Sequence, residues 1–207
     1  ALADDEVRMH LKQALRGHRG CSMTATVYVP GGEFAVPDAA TRPRVLVRTG
    51  PAASGPEGPL DLAVVEHERF MPELKHVGES AKTFFLRQAV SQGFGDAAFV
   101  DRHGRLSEAT IWNLAFWDGE SVVWPQADIL VGTTMGIVRR QLRRMGVGER
   151  VEAVRVSDLP ALKGAVVMNS WTPGIAIRRL GSHEFATAPD FTALLHRAFA
   201  NEEPVAP

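Results

Sequence analysis

The sequence lacks several common catalytic and metal-binding patterns, which leaves few candidates for catalytic residues. The seven histidines form no HxH or HExxH pair, and the single cysteine, Cys21, has one histidine nearby, His18, and no second cysteine to complete a ligand set. The sequence therefore predicts neither a zinc or other metal site nor a catalytic thiol. It also lacks the GxSxG, P-loop and GxGxxG patterns, so nothing local supports a serine hydrolase, a P-loop enzyme or a dinucleotide-binding domain.

Amine chemistry has only four candidates, because the sequence has four lysines against nineteen arginines. These are Lys12, Lys75, Lys82 and Lys163. The arginine excess is typical of a biased genomic base composition and by itself indicates no function. The sequence around each lysine therefore has to indicate whether its amine is reactive or belongs to an ordinary surface side chain.

Four short segments stand out together: LKH at 74–76, LSEATIWN at 106–113, LVGTT at 130–134 and MNSWTPGI at 168–175. Their order and spacing resemble the class IV aminotransferases, the fold-type IV pyridoxal-phosphate enzymes. That family includes branched-chain and D-amino-acid aminotransferases and aminodeoxychorismate lyase, and the first and last segments look most like the lyase. The resemblance covers roughly residues 66 to 180. It implies the α/β (α+β) fold of that family, with pyridoxal 5'-phosphate as the cofactor.

The resemblance also implies roles for a lysine and a carboxylate. Lys75 matches the lysine that forms the internal aldimine and shuttles the Cα proton, and it stands between a predicted strand and a predicted helix. Glu108, 33 residues later, matches the carboxylate that pairs with the pyridine nitrogen. This fits the chemistry, because a protonated ring nitrogen lets the cofactor accept electron density from a carbanion.

Phosphate binding is assigned by the same resemblance to two turns. Gly132, Thr133 and Thr134 match the phosphate-binding turn at a helix N-terminus, and Ser170 matches a second contact to that phosphate. A helix N-terminus suits this role because it offers free N–H groups and the positive end of the helix dipole. The family usually has Arg after the Gly-x-Thr turn, whereas this sequence has Met135.

Each of these residues also has an ordinary explanation. Lys75 alone would be a solvated lysine, Glu108 an exposed strand residue, and the two threonines a simple helix cap. Asn113 is expected to serve strand contacts rather than chemistry. His76 could face the substrate or simply be solvated, and Arg69 could lie near the cofactor.

Hydrophobic periodicity and turn residues predict four helices, at Asp4–Leu15, Glu79–Gln92, Gly132–Met145 (with a threonine N-cap) and Asp190–Ala200, and a short one after Ser157. Strands are predicted at Ser22–Pro30, Arg44–Thr49, Leu60–Arg69, Ala97–Val100, Arg105–Thr110, Trp112–Trp117, Ser121–Trp124, Val151–Val156, Ala165–Asn169 and Gly174–Arg179. We expect a partial N-terminal α/β domain at 1–70 and a strand-rich, cofactor-binding C-terminal domain at 71–207.

Composition sets further limits on function. Hydrophobic residues make up 45% and charged residues 23% of the chain, as in ordinary globular proteins. The net charge of −1 offers no basic surface for nucleic acid, and no apolar run is long enough to span a membrane. One cysteine excludes an internal disulfide, which fits the cytoplasm.

The first 70 residues form too small a layer to bury their apolar faces. They also lack the His-Leu-x-Arg-Leu pattern whose arginine clamps the phosphate in the family. We therefore expect that about 50 residues precede Ala1, or that a partner chain supplies cover, as in a homodimer. The predicted activity is an aminotransferase or lyase acting on an amino acid or keto acid, or on an amino-chorismate-like compound. The alternative is a non-catalytic relative with a degraded cofactor site.

Overall fold

The computed structural model describes residues 2–31, 36, 38 and 40–205. Its contacts divide the chain into two compact units, Ala1–Ser54 with Pro204–Pro207 and Gly55–Glu203. Among the described residues, no helix is long and apolar enough to cross a membrane.

The smaller unit contains helix α1 (Asp4–Leu15) and the antiparallel strands β1 (Ser22–Tyr28) and β2 (Arg44–Gly50). Acidic residues occupy the first turn of α1, where they favour the helix dipole. Between residues 2 and 54, none of the described side chains is buried. Several large apolar side chains of this unit are exposed. Val27, for example, is 59% exposed and Leu46 is 50% exposed.

The larger unit consists of three helices, one 3-10 helix and nine strands. The helices are α2 (Ser80–Ser91), α3 (Thr133–Arg144) and α4 (Pro189–Ala200), and the 3-10 helix is Val156–Ala161. The strands are β3 (Leu60–Glu66), β4 (Asp96–Val100), β5 (Leu106–Ala109), β6 (Asn113–Trp117), β7 (Ser121–Pro125), β8 (Gly148–Glu152), β9 (Gly164–Asn169), β10 (Thr172–Leu180) and β11 (His183–Glu184).

Six of these strands close into a ring. Strand β3 pairs in parallel with β4 and β10, β4 pairs with β5, β5 with β6, β6 with β9, and β9 with β10. Strands β7 and β8 extend the sheet from β6, and β11 is added to β10. Alternate residues of the ring strands belong to one buried core. Examples are Leu60 and Leu62, Leu114 and Phe116, and Ile175 and Ile177.

A second core lies between the sheet and two helices. The apolar face of α3, including Val138 and Leu142, packs with Phe191 and Leu195 of α4 against Trp124 of β7. This packing fixes α3, and with it the turn before α3, against the sheet.

The predicted elements are present with shifted ends. The eighth strand is Gly148–Glu152 rather than Val151–Val156, and β11 was not predicted. Strand β3 ends at Glu66, so Arg69 lies in the following loop instead of on the strand. Strand β3, expected before the predicted boundary near residue 70, pairs with β4 and β10 inside the larger unit.

Candidate active site

The turn between β5 and β6 places a carboxylate at one end of the strand ring. Glu108 is 4% exposed and stands opposite Asn113 in the register of the two strands. The turn is held by the buried carboxylate of Asp96, which accepts hydrogen bonds from the Thr110 hydroxyl at 2.6 Å and the Trp112 indole N–H at 2.7 Å. Glu108 is therefore a buried residue of β5 next to a firmly held turn, which does not fit the alternative explanation of an ordinary exposed strand residue.

Asn113 connects this turn to the start of α3. Its side-chain Oδ1 accepts a hydrogen bond from the Gly132 N–H at 3.1 Å, and its Nδ2 donates to the Leu130 carbonyl at 2.7 Å. The residue opposite Glu108 thus fixes the loop that the resemblance assigns to phosphate binding. We expected Asn113 to serve strand contacts alone, and no local sequence signal shows a contact between residues 17 and 19 positions apart.

The first turn of α3 carries both candidate threonines. Gly132 is the N-cap, with φ −70° and ψ 151°, so the expected threonine N-cap is wrong. Thr133 is exposed and Thr134 is buried, and both lie inside the helix. The N–H groups of residues 133–135 have no intrahelical acceptor, because they belong to the first helical turn. This end of the helix is therefore suited to an anion.

We expect Gly132→Ala to disrupt this turn through steric contact alone. The backbone angles of Gly132 are open to alanine, but a Cβ there would lie 2.5 Å from Oδ1 of Asn113. Moving the Asn113 carboxamide would break two partly buried hydrogen bonds, so the free energy of unfolding should fall by about 1–3 kcal/mol. Thermal denaturation measures this loss, and affinity for inorganic phosphate should fall with it.

Gly136→Ala is the matched control for this prediction. Gly136 lies in the same helix, and a Cβ there would have no non-local heavy atom within 4 Å. Alanine at this site should stabilise the protein by about 0.5–1 kcal/mol through helix propensity. Equal effects of the two substitutions would contradict the steric role given to Asn113.

The loop between β3 and α2 carries Lys75, whose side chain is exposed. Its neighbours are fixed on both sides. The Arg69 guanidinium donates to the Leu74 carbonyl at 2.9 Å, and His76 Nε2 lies 3.3 Å from Oε1 of Glu79. Within the described ranges, no carboxylate lies within 4 Å of the Lys75 amine, which leaves it available to react.

Four charged side chains lie close together beneath this loop, and we call Arg69, Glu79, Lys82 and Glu108 the four-charge cluster. Lys82 Nζ lies 2.9 Å from Oε2 of Glu79 and 3.4 Å from Oε1 of Glu108. Arg69 lies 2.8 Å from Glu79 through Nε and 3.5 Å from Glu108 through Nη1. Neither contact of Arg69 has hydrogen-bond geometry, and Oε1 of Glu108 is buried without a hydrogen bond.

Two members of this cluster, Glu79 and Lys82, were not predicted as site residues from the sequence. A signal was present, since Lys82 is one of only four lysines and stands in the first turn of a helix, where a cation opposes the helix dipole. Glu79, the residue before that helix, makes no capping hydrogen bond with its side chain.

Ser170 lies in the turn that joins β9 to β10 and is exposed. The preceding residue, Asn169, donates to the Ile111 carbonyl at 3.4 Å and accepts the Trp171 N–H at 2.8 Å. Since β9 pairs with β6 as far as Asn113, this turn lies at the same end of the ring as the Asn113 side of β6.

The sequence-predicted residues are thus connected, though not by direct contacts among themselves. Glu108 and Gly132 are joined through Asn113, Ser170 through its neighbour Asn169, and the Lys75 loop through Arg69. The described residues contain no group of three His, Cys, Asp or Glu side chains that could hold a metal ion.

These residues fit pyridoxal phosphate. The buried Oε1 of Glu108, which has no hydrogen bond, belongs to a carboxylate suited to a protonated ring nitrogen. Lys75 supplies an exposed amine for the aldehyde, and the start of α3 supplies N–H donors for the phosphate. The site therefore contains a chemical partner for each end of the cofactor.

Comparison with known proteins places this arrangement in a family. The amino-transferase class IV family matches residues 1–180, and no curated protein sequence matches the chain. The solved structure of a putative 4-amino-4-deoxychorismate lyase from Legionella pneumophila has a TM-score of 0.83 at 18% identity, covering 97% of this chain and 78% of the other.

Two aminotransferase structures are also similar. The branched-chain aminotransferase from Thermoproteus uzoniensis has a TM-score of 0.84 at 16% identity, covering 95% of this chain and 70% of that one. A hypothetical aminotransferase from Mycobacterium tuberculosis, in its pyridoxal-phosphate-bound form, has a TM-score of 0.67 at 20% identity, covering 78% and 64%. At these identities the structures show the shared fold, and the family match confirms the predicted enzyme class and cofactor. The chain belongs to the class IV aminotransferase family.

Proposed function

We propose that this protein is a pyridoxal-phosphate-dependent aminotransferase or lyase that acts on an amino acid or an amino-chorismate-like substrate through Lys75. The observation that carries the proposal is the buried carboxylate of Glu108, held opposite Asn113, which in turn holds the Gly132 turn. These contacts support the proposal because they connect the helix start that would bind the phosphate with the carboxylate that would face the ring nitrogen.

Each residue has a distinct part in this proposal. Bound pyridoxal phosphate supplies an electron sink for negative charge at the substrate α-carbon. Lys75 Nζ holds the cofactor, then takes the α-proton and returns it. Glu108 keeps a proton on the ring nitrogen by its negative charge. Gly132, Thr133, Thr134 and Ser170 bind the phosphate.

The test is to treat the holoprotein with borohydride and map the labelled peptide. Reduction turns the bond between lysine and cofactor into a stable amine, so we expect the label on Lys75. Label on Lys82 or Lys163 would overturn the Lys75 assignment. A protein that takes up no cofactor and shows no visible absorption would instead be a non-catalytic relative.

We further propose that the enzyme is a cytoplasmic homodimer. The single cysteine is compatible with a reducing compartment. Exposed apolar side chains in the Ala1–Ser54 unit, including Met9 and Val27, are the kind of surface that a second subunit covers. Sedimentation velocity measures the assembly, and a monomer at micromolar concentration would contradict it.

A further inference from the structure

The start of helix α2 departs from the usual preferences of helix ends. Its N-cap residue, Glu79, does not use its carboxylate as a cap, and its first turn has no acidic residue. Lys82 occupies that turn instead, although a cation there is disfavoured by the helix dipole. Both side chains are directed into the four-charge cluster, so contacts with other parts of the fold override the local preference.

Burying the charged side chains of this cluster costs free energy, because the charges lose their hydration. The side chains of Glu79 and Lys82 are 14% exposed, and those of Arg69 and Glu108 are buried further. Two cations and two carboxylates give a formal net charge of zero, which reduces the cost but does not remove it. A buried cluster of this kind at the proposed cofactor site indicates a function beyond stability.

Both cations of the cluster approach the same oxygen of Glu108. Arg69 lies 3.5 Å and Lys82 3.4 Å from Oε1, which is buried and has no hydrogen bond. Glu79 in turn lies within 3 Å of each cation. Lys82 therefore partly neutralises the negative charge of Glu108. Glu79 in turn partly neutralises the positive charge of Lys82, so it weakens this effect.

We propose that Lys82 and Glu79 are positioning residues that set, in opposite directions, how strongly Glu108 favours a proton on the ring nitrogen of the bound cofactor. This inference rests on the proposed function, in which Glu108 faces that nitrogen. Loss of the Lys82 charge makes the cluster net negative and favours the ring proton. Loss of the Glu79 charge makes it net positive and disfavours the ring proton.

Other titratable groups border the cluster. His76 lies 3.3 Å from Glu79, and His67 packs against Phe85 and Phe99, where burial lowers its pKa. The carboxylate of Glu68 also acts on His67. All of these groups are present in every variant below, so differences between variants measure Lys82 and Glu79.

The experiment is a pH titration of the cofactor's ring nitrogen, followed by 15N NMR of the holoprotein loaded with ring-15N-labelled pyridoxal phosphate, with the pyridoxal phosphate dissociation constant as a second readout. We expect Lys82→Met to raise the midpoint pH by about one unit and Glu79→Gln to lower it by about one unit. The double variant restores a neutral cluster and should return the midpoint close to the parent value. Lys82→Arg, which keeps the charge, should leave it nearly unchanged.

Matched controls separate this local effect from the net charge of the protein. Lys163→Met and Glu120→Gln make the same changes in net charge at exposed positions and should not move the midpoint. If either single variant fails to fold, the double variant and Lys82→Arg still test the proposal. A double variant shifted as far as a single one, or a Lys82→Arg variant shifted like Lys82→Met, would overturn it.

The outcome distinguishes this inference from the proposed function. A parent protein without a visible band overturns the proposed function, and the inference with it. A parent protein with the band, but with single variants that do not shift the midpoint of the ring nitrogen or that shift it in the same direction, overturns only the inference. Borohydride label on Lys82 also overturns it, since that amine would then carry the cofactor.

Discussion

Lys75→Ala should lose the covalent attachment of pyridoxal phosphate and about 10⁴-fold or more of its turnover. The side chain is proposed both to hold the cofactor and to move the α-proton, so one substitution removes a nucleophile and a general base. Steady-state kinetics with an amino donor and a keto acid measure the loss. The visible band should change to that of free cofactor, because no amine replaces Lys75.

Two lysines provide controls for this variant. Lys12 lies in the smaller unit and Lys163 is exposed just before β9. Lys12→Ala and Lys163→Ala should therefore both retain the activity of the parent protein. A small primary amine added to Lys75→Ala should restore part of the turnover, because it can take the proton in place of the missing side chain. Full activity in Lys75→Ala without added amine would show that another residue does this work.

Glu108→Gln should retain the cofactor but lower turnover by about 10²–10⁴-fold. Glutamine keeps the shape of the side chain and removes the charge that favours a protonated ring nitrogen. It also leaves Arg69 and Lys82 without the carboxylate that both approach. Turnover is measured at saturating cofactor, with the dissociation constant of pyridoxal phosphate determined separately.

Glu120→Gln provides the comparison for Glu108→Gln. Glu120 is exposed in the turn between β6 and β7, so its substitution should leave turnover unchanged. Unchanged turnover in Glu108→Gln would mean that a different residue faces the ring nitrogen. The roles of Asn113 and the phosphate turn would then have to be reassigned with it, because Asn113 pairs with Glu108 and is hydrogen-bonded to Gly132.

Local sequence patterns predicted the helices well, because their signals lie within the helices themselves. The boundaries of α1 match the structure, and those of α4 differ by one residue. Strand β8 was predicted late because its residues are charged and partly exposed, whereas the apolar alternation continues beyond it. Val154, which lies within the predicted range, is buried in the core after the strand has ended.

The candidate site was only partly predictable for a related reason. Lys75, Glu108 and the Gly132 turn belong to segments whose order resembles a family, so they could be selected from the sequence. Asn113, Glu79 and Lys82 are defined by contacts with residues distant in the chain. Such contacts arise in the folded chain, and the only local signal among these residues is the cation of Lys82 in the first turn of a helix.

The closed ring of strands also affects how the larger unit meets other proteins. Among its described strands, β3, β4, β5, β6, β9 and β10 each pair on both sides, so none offers a free backbone edge. Open edges remain at β11, which has two residues, and at β8, whose sequence GERVE is rich in charge. Short and charged edges resist pairing with strands of another chain. The fold that positions the cofactor site thereby protects the larger unit from edge-to-edge aggregation.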